Sequence, residues 1–331
     1  MQITDHGVVK EQLELRRHQL EGILPARGEQ HLHRLLHEVD AALGRLDRGD
    51  YGICEECLEP MEEERLLANP LHRVCLECLS ADETRALEHD LETAAVIQGA
   101  LLPEQDYCRS GWDIHFEYQP VGPVSGDHLD LIEPLRPDEP LVFLFGDVAG
   151  KGVAASLLTS HLHALFRSLL TLDLPLEELI GRANRIFCES TPANAYATLV
   201  VGRLGAGGEV ELCNLGHCPP LIVRQDRVET IAASTVPFGL FDQGVFEVNR
   251  FVLEEDDFLF LYTDGLSEAA NEWGEEYGQQ RIISTLEKLR GVPPADAIAG
   301  SLSDLRRFRN GGTRRDDLTV MVSRPLPLSA F

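Results

Sequence analysis

A chain of 331 residues exceeds one average core and divides most naturally into a small and a large module. Its 44% apolar and 25% charged residues exclude a disordered or fibrous protein, and a net charge of -26 spread over both halves leaves no basic surface of the kind that neutralises nucleic-acid phosphates. No run approaches the ~18 apolar residues of a membrane span, and MQITDHGVVKEQLELRR lacks the apolar core of a signal peptide, so a cytoplasmic chain with no nucleic-acid or membrane partner is expected.

In chain order, Val9, Leu13, Leu20 and Leu24, then Leu32, Leu35, Leu36, Val39, Leu43 and Leu46, recur at helical spacing on either side of Pro25 and Gly28. Residues 1–48 are therefore predicted to form an antiparallel helical hairpin, each helix covering the other's apolar stripe. Residues 49–80 turn often and hold Cys54, Cys57, Cys75 and Cys78. From 81 to 103 the spacing of Leu87, Leu91, Ala94, Gln98 and Leu101 predicts a linker helix with a short coiled-coil seam, Gln98 being its one polar position.

After Pro103 strand-like runs follow at 114–118, 141–145, 197–201, 210–212, 221–223, 258–262 and 318–322, with helical stretches near 152–170 and 176–190. The strands come as meanders rather than regular strand-helix-strand units, which predicts an α+β layered sandwich over residues 104–331.

Two CxxC pairs separated by 17 residues can bring four thiolates onto one tetrahedral zinc, and with all four positions filled by protein that ion is structural. In a chain without a secretion signal, metal ligation is the better reading of these cysteines than disulfides. YGICEEC, RLLANP and CLEC resemble the zinc finger of the DksA/TraR family. That family acts on RNA polymerase through acidic residues at a coiled-coil tip. Here the tip reads LPARGEQ, and a polymerase-interacting regulator with a vestigial second domain is the alternative reading.

Four further segments each place an aspartate at the edge of an apolar run: VSGD (Asp127), FLFGDVAGKG (Asp147), FLYTDGLSE (Asp264) and RRDDLTV (Asp316 and Asp317). One such aspartate is ordinarily a turn or cap residue. Four at strand ends that can share a sheet repel one another unless cations neutralise them, and oxygen-rich sites of this type suit Mg²⁺ or Mn²⁺ with a phosphate substrate.

The order VSGD, GDVAGKG, YATLVVG, NLGHCPP, PFGL, YTDGLSEA, DDLTV resembles the SpoIIE/RsbU branch of the metal-dependent PPM phosphatases, related to protein phosphatase 2C, over residues 104–324. The resemblance implies an α-β-β-α sandwich and a serine/threonine protein phosphatase acting through water activated by two metals. It also implies a phosphoprotein substrate, a STAS-type anti-sigma-factor antagonist. Asp147 matches the carboxylate bridging both metals, the Val148 carbonyl the backbone ligand beside it, Asp127 the acid of the second metal, and Asp264 and Asp316 the remaining ligands of the first. Asp317 is placed behind these ligands. Ala149 stands where eukaryotic relatives carry a proposed histidine general acid, no single arginine stands out as a phosphate clamp, and His217 is expected to shape its loop. TAAVIQGALLP resembles the helix that precedes the domain in this branch, which implies a homodimer through residues 81–103 and control by the zinc module.

Overall fold

The computed structural model describes residues 6–27, 30–133, 136, 139–312 and 314–327. It resolves into two compact units, Met1–His89 and Asp90–Phe331. Among the described residues no helix is long and apolar enough to cross a membrane.

In the first unit, helices α1 (His6–Arg27) and α2 (Gln30–Arg48) bury Val9, Leu13 and Leu20 together with Val39, Ala42 and Leu43. α1 continues through Pro25 to Arg27 instead of breaking there, because a proline in the last turn forgoes a single intrahelical bond; Gly28, the other expected breaker, and the side chain of Leu24 lie outside the described residues. Tyr51, Cys54, Met61, Leu66 and Cys75 belong to the same apolar cluster, so the cysteine segment and the hairpin share one small core. Short α3 (Glu63–Ala68) lies between the two cysteine pairs. α4 (Ala81–Gly99) starts with a reciprocal cap: the Ser80 N–H donates to Glu83 at 3.0 Å and the Glu83 N–H to Ser80 Oγ at 3.3 Å.

The second unit contains strands β1 (Asp106–Arg109), β2 (Trp112–Gln119), β3 (Asp127–Ile132), β4 (Leu141–Val148), β5 (Ala197–Leu204), β6 (Glu209–Leu215), β7 (Leu221–Val223), β8 (Val228–Thr230), β9 (Asn249–Val252), β10 (Phe258–Tyr262) and β11 (Leu318–Pro325). Its helices are α5 (Gly152–Leu169), α6 (Leu176–Ser190), one-turn α7 (Asp264–Ser267), α8 (Gln279–Leu286) and α9 (Pro294–Arg309). The strands form two antiparallel sheets, ordered β1-β2-β11-β10-β7-β8 and β3-β4-β5-β6-β9.

Strand alternation explains the layers. Phe143 and Phe145 of β4 pack with Ile114 of β2 and Leu259 of β10 between the sheets, whereas Val142 and Leu144 face Leu162, Phe166 and Ile180 of α5 and α6. On the opposite side, Phe258 and Phe260 of β10 and Val320 of β11 pack on Leu286 and Leu302 of α8 and α9. The expected α-β-β-α sandwich is the observed one.

Candidate active site and cysteine centre

The sheets deliver carboxylates to one end of the sandwich. Antiparallel β3 and β4 set Asp127 opposite Asp147. Asp264 follows β10 as the first residue of α7, and Asp316 and Asp317 precede β11, the neighbour of β10. Asp127 crosses between the sheets, accepting hydrogen bonds from Thr263 Oγ1 at 3.1 Å and Thr319 Oγ1 at 2.5 Å.

These aspartates feel one another. Burial, then the charges of Asp264, Asp316 and Asp317, push the Asp147 carboxyl up to about 7. Asp127 is held well above the usual carboxylate range by burial and by Asp147 and Asp317, against the threonine hydrogen bonds. Burial and Asp316 raise Asp264 likewise. Asp316 pairs with Lys151 at 2.9 Å. The Asp317 carboxylate is instead occupied by Val121 N–H (2.7 Å), Ser125 Oγ–H (2.7 Å) and Gly126 N–H (3.0 Å), which fixes the loop leading to Asp127.

The glycines beside these aspartates leave room that a side chain would fill. A Cβ on Gly126 would stand 2.8 Å from Asp147 Oδ1 and 3.2 Å from the Val148 carbonyl, so both oxygens face that position. A Cβ on Gly146 would meet Thr198 O at 2.1 Å, and one on Gly265 would meet Asp317 O at 1.8 Å. None of the three has positive φ, so close backbone approach rather than turn geometry requires glycine here.

Sequence reasoning missed the support around the site. Gln98 is buried in the second unit: its Nε2 donates to Ser125 O at 2.7 Å and Thr159 Oγ1 at 3.1 Å, and its Oε1 accepts from Ser125 N at 2.9 Å. Its polar groups are therefore satisfied within the chain, which removes Gln98 from the polar seam position expected of it. Thr263 and Thr319 carry no sequence signal for this role: Thr263 precedes the aspartate that opens α7, but its hydroxyl makes no cap bond and goes to Asp127 instead.

His217 is a strut between the sheets. Nε2 faces the Tyr262 carbonyl at 3.1 Å and so donates to it, leaving Nδ1 to accept from Thr198 Oγ1 at 3.0 Å. Burial pushes its pKa down to about 4, in keeping with this neutral form.

In the first unit, Cys54, Cys57, Cys75 and Cys78 carry sulfur atoms that all lie within 4.8 Å of one another, the only metal-type group this tight among the described residues. The Cys57 and Cys75 sulfurs are 3.7 Å apart. A tetrahedron with metal–sulfur bonds of ~2.3 Å has edges of about 3.8 Å, so the spacing fits a closed four-thiolate centre. Backbone N–H groups, first that of Cys57, bring the Cys54 thiol down to about 6, while the neighbouring thiols of Cys75 and Cys57 raise Cys78.

Comparison with known proteins bears on both units. A family model described as stage II sporulation protein E (SpoIIE) matches residues 137–325, more than half of the sequence. The chain belongs to the SpoIIE family. Residues 49–83 match the prokaryotic dksA/traR C4-type zinc finger. The Protein IcfG of Synechocystis sp. is 26% identical over 227 residues, 60% of this chain and 35% of that protein. Phosphoserine phosphatase RsbU of Bacillus subtilis is 23% identical over 243 residues, 72% of this chain and 70% of RsbU. The SiaA PP2C domain of Pseudomonas aeruginosa shares the fold, with a TM-score of 0.64 at 18% identity, covering 74% of this chain and 99% of that domain. The second unit of this SpoIIE-family chain thus has the PP2C phosphatase fold.

Proposed function

We propose that the chain is a serine/threonine protein phosphatase that uses Mn²⁺ or Mg²⁺. The observation that carries this reading is the convergence of aspartates from both sheets, Asp127 buried and Asp147, Asp264 and Asp316 partly so, where burial and then the neighbouring charges lift Asp147 to about 7. A site with that proton affinity and one lysine partner suits divalent cations. Asp147 and the Val148 carbonyl would hold them at the centre, Asp127 on one side, Asp264 and Asp316 on the other. When bound, two such ions supply the charge that activates water and stabilises the phosphoryl oxygens during in-line displacement. The protein's own part is positional: Thr263 and Thr319 orient Asp127, Asp317 fixes the Asp127 loop, and the three glycines let neighbouring backbone and carboxylate oxygens come close. Similarity to RsbU supports phosphoserine on a protein as the substrate, and we assign a STAS-type anti-sigma-factor antagonist as its class.

The cysteine centre is proposed to hold one structural zinc, supported by the sulfur spacing and the finger match. Helix α4 leads from that module into the catalytic unit, and we assign it the regulatory connection and the contact of a homodimer.

Hydrolysis of p-nitrophenyl phosphate and of a phosphoserine peptide, with Mn²⁺ and after metal removal by EDTA, tests the catalytic reading. Turnover that depends on the added ion is expected. Undiminished turnover in verified metal-free protein would overturn it.

A further inference from the structure

In a chain with 55 acidic and 29 basic residues, arginines are mostly neutralised by nearby carboxylates. Arg309, Arg314 and Arg315 differ. Arg309 donates to the Gly312 carbonyl at 2.8 Å, and Arg314 donates to Gln119 Oε1 at 2.9 Å and to the Pro120 carbonyl. Exposed Arg315 makes no hydrogen bond or ion pair with any described residue. None of the three is paired with a carboxylate of the described residues, and burial together with the charge of Arg314 lowers the pKa of Arg309.

All three line one cavity of about 220 Å³, which also touches Gly265 and Asp316 and so borders the aspartate centre. Glu268 and Glu276 contribute to the lining of the same cavity. Such a slot is hostile to a free phosphate dianion, which two glutamates and Asp316 repel. A single carboxylate carried on a peptide suits it: the guanidinium groups take the oxyanion, and the glutamates accept from the peptide's N–H groups.

We propose that this cavity is a specificity subsite for an acidic side chain, Asp or Glu, lying beside the phosphoserine of the substrate protein. Arg315, whose donors meet no partner among the described residues, is the residue that reads the acid; Arg309 and Arg314, anchored by carbonyl oxygens, supply the fixed positive wall. The inference rests on the phosphatase reading above and deepens it.

The test uses the full chain with Mn²⁺ and phosphoserine peptides carrying Asp, Asn or Lys next to the phosphoserine, with p-nitrophenyl phosphate as the substrate that has no flank. Wild type should favour Asp over Lys. Arg315→Gln should lose about three- to tenfold in kcat/KM on the Asp peptide, as for loss of a partly exposed charge-assisted contact, and Arg315→Glu should reverse the preference. Turnover of p-nitrophenyl phosphate should be unchanged in Arg315→Gln, and Arg306→Gln, an exposed substitution of equal charge change on α9, should behave as wild type. Equal losses on all substrates would mean that Arg315 holds the phosphoryl group itself, and unchanged peptide preference would mean that the cavity reads nothing; either result overturns the proposal. Fluorescence anisotropy of labelled peptides gives the same preference as a ratio of Kd values. It decides the point even if wild type proves unable to turn any substrate over, a result that would count against the phosphatase reading instead.

Discussion

Gln98 and Ser125 are joined by a two-point amide clamp, 2.7 Å in one direction and 2.9 Å in the other, between the end of α4 and the loop that carries Asp127. The Ser125 hydroxyl in turn bonds Asp317 at 2.7 Å and accepts from Asp127 N–H at 3.0 Å. Gln98→Leu leaves a buried Ser125 N–H and C=O without partners, at about 1 to 3 kcal/mol for each such group. The variant should unfold at lower urea and need several-fold more Mn²⁺ for half-maximal turnover, with the rate recovering at saturating metal. An unchanged metal dependence in a destabilised variant would show that the clamp serves the fold alone.

Removing the central carboxylate should separate activity from stability. Asp147→Asn is expected to lower turnover by at least ~100-fold, since the charge that positions the cations is lost. In metal-free protein near pH 8 the same change should raise stability by on the order of 1 to 2 kcal/mol, because a partly buried carboxyl lifted to about 7 costs folding free energy once it is ionised. Parallel urea titrations in EDTA and rate measurements in Mn²⁺ check both halves.

The cysteine centre makes a prediction about metal and fold together. Cys75→Ser should release the bound zinc and loosen the first unit, because Cys75 is buried in the cluster that includes Val9 and Val39. Metal analysis of protein purified under reducing conditions should find one zinc per wild-type chain and none in the variant. Proteolysis should then cut within residues 49–80 first.

Acid should destabilise the chain through His217. Its pKa is about 4 when folded and ~6.5 when unfolded, so between those values only the unfolded state takes up the proton. Stability from this group is present above pH ~6.5 and falls as pH drops, by up to ~1.4 kcal/mol per pH unit. Comparing urea midpoints from pH 7 to 4.5, His217→Asn should be less stable at neutral pH but show a shallower slope than wild type.

Strands with continuous apolar runs, such as Phe258–Tyr262, were legible because both faces are buried, and the repeated aspartate motifs stood out for their residue type alone. β3 was not legible. Its sequence DHLDLI buries Asp127, His128 and Asp130, and what makes Asp130 tolerable is a bidentate pair with Arg167 at 3.0 and 2.7 Å, a partner 37 residues away. Gln98 misled for the same reason. A polar residue on a helical seam and a polar residue plugged into a neighbouring loop have the same spacing, and only the tertiary partner distinguishes them. The arginine-lined cavity likewise joins α9 and the segment before β11 to Glu268 and Glu276, which no local pattern connects.

Gly146 and Gly265 change how loss of function should be recognised in a chain of this kind. A methyl group at Gly146 or Gly265 would collide with backbone oxygens at 2.1 and 1.8 Å, and backbone cannot rotate out of the way as a side chain can. A relative could therefore retain every aspartate and still be a pseudoenzyme, silenced by a single alanine. In such a chain the aspartates would be intact and the defect would lie in the glycines next to them.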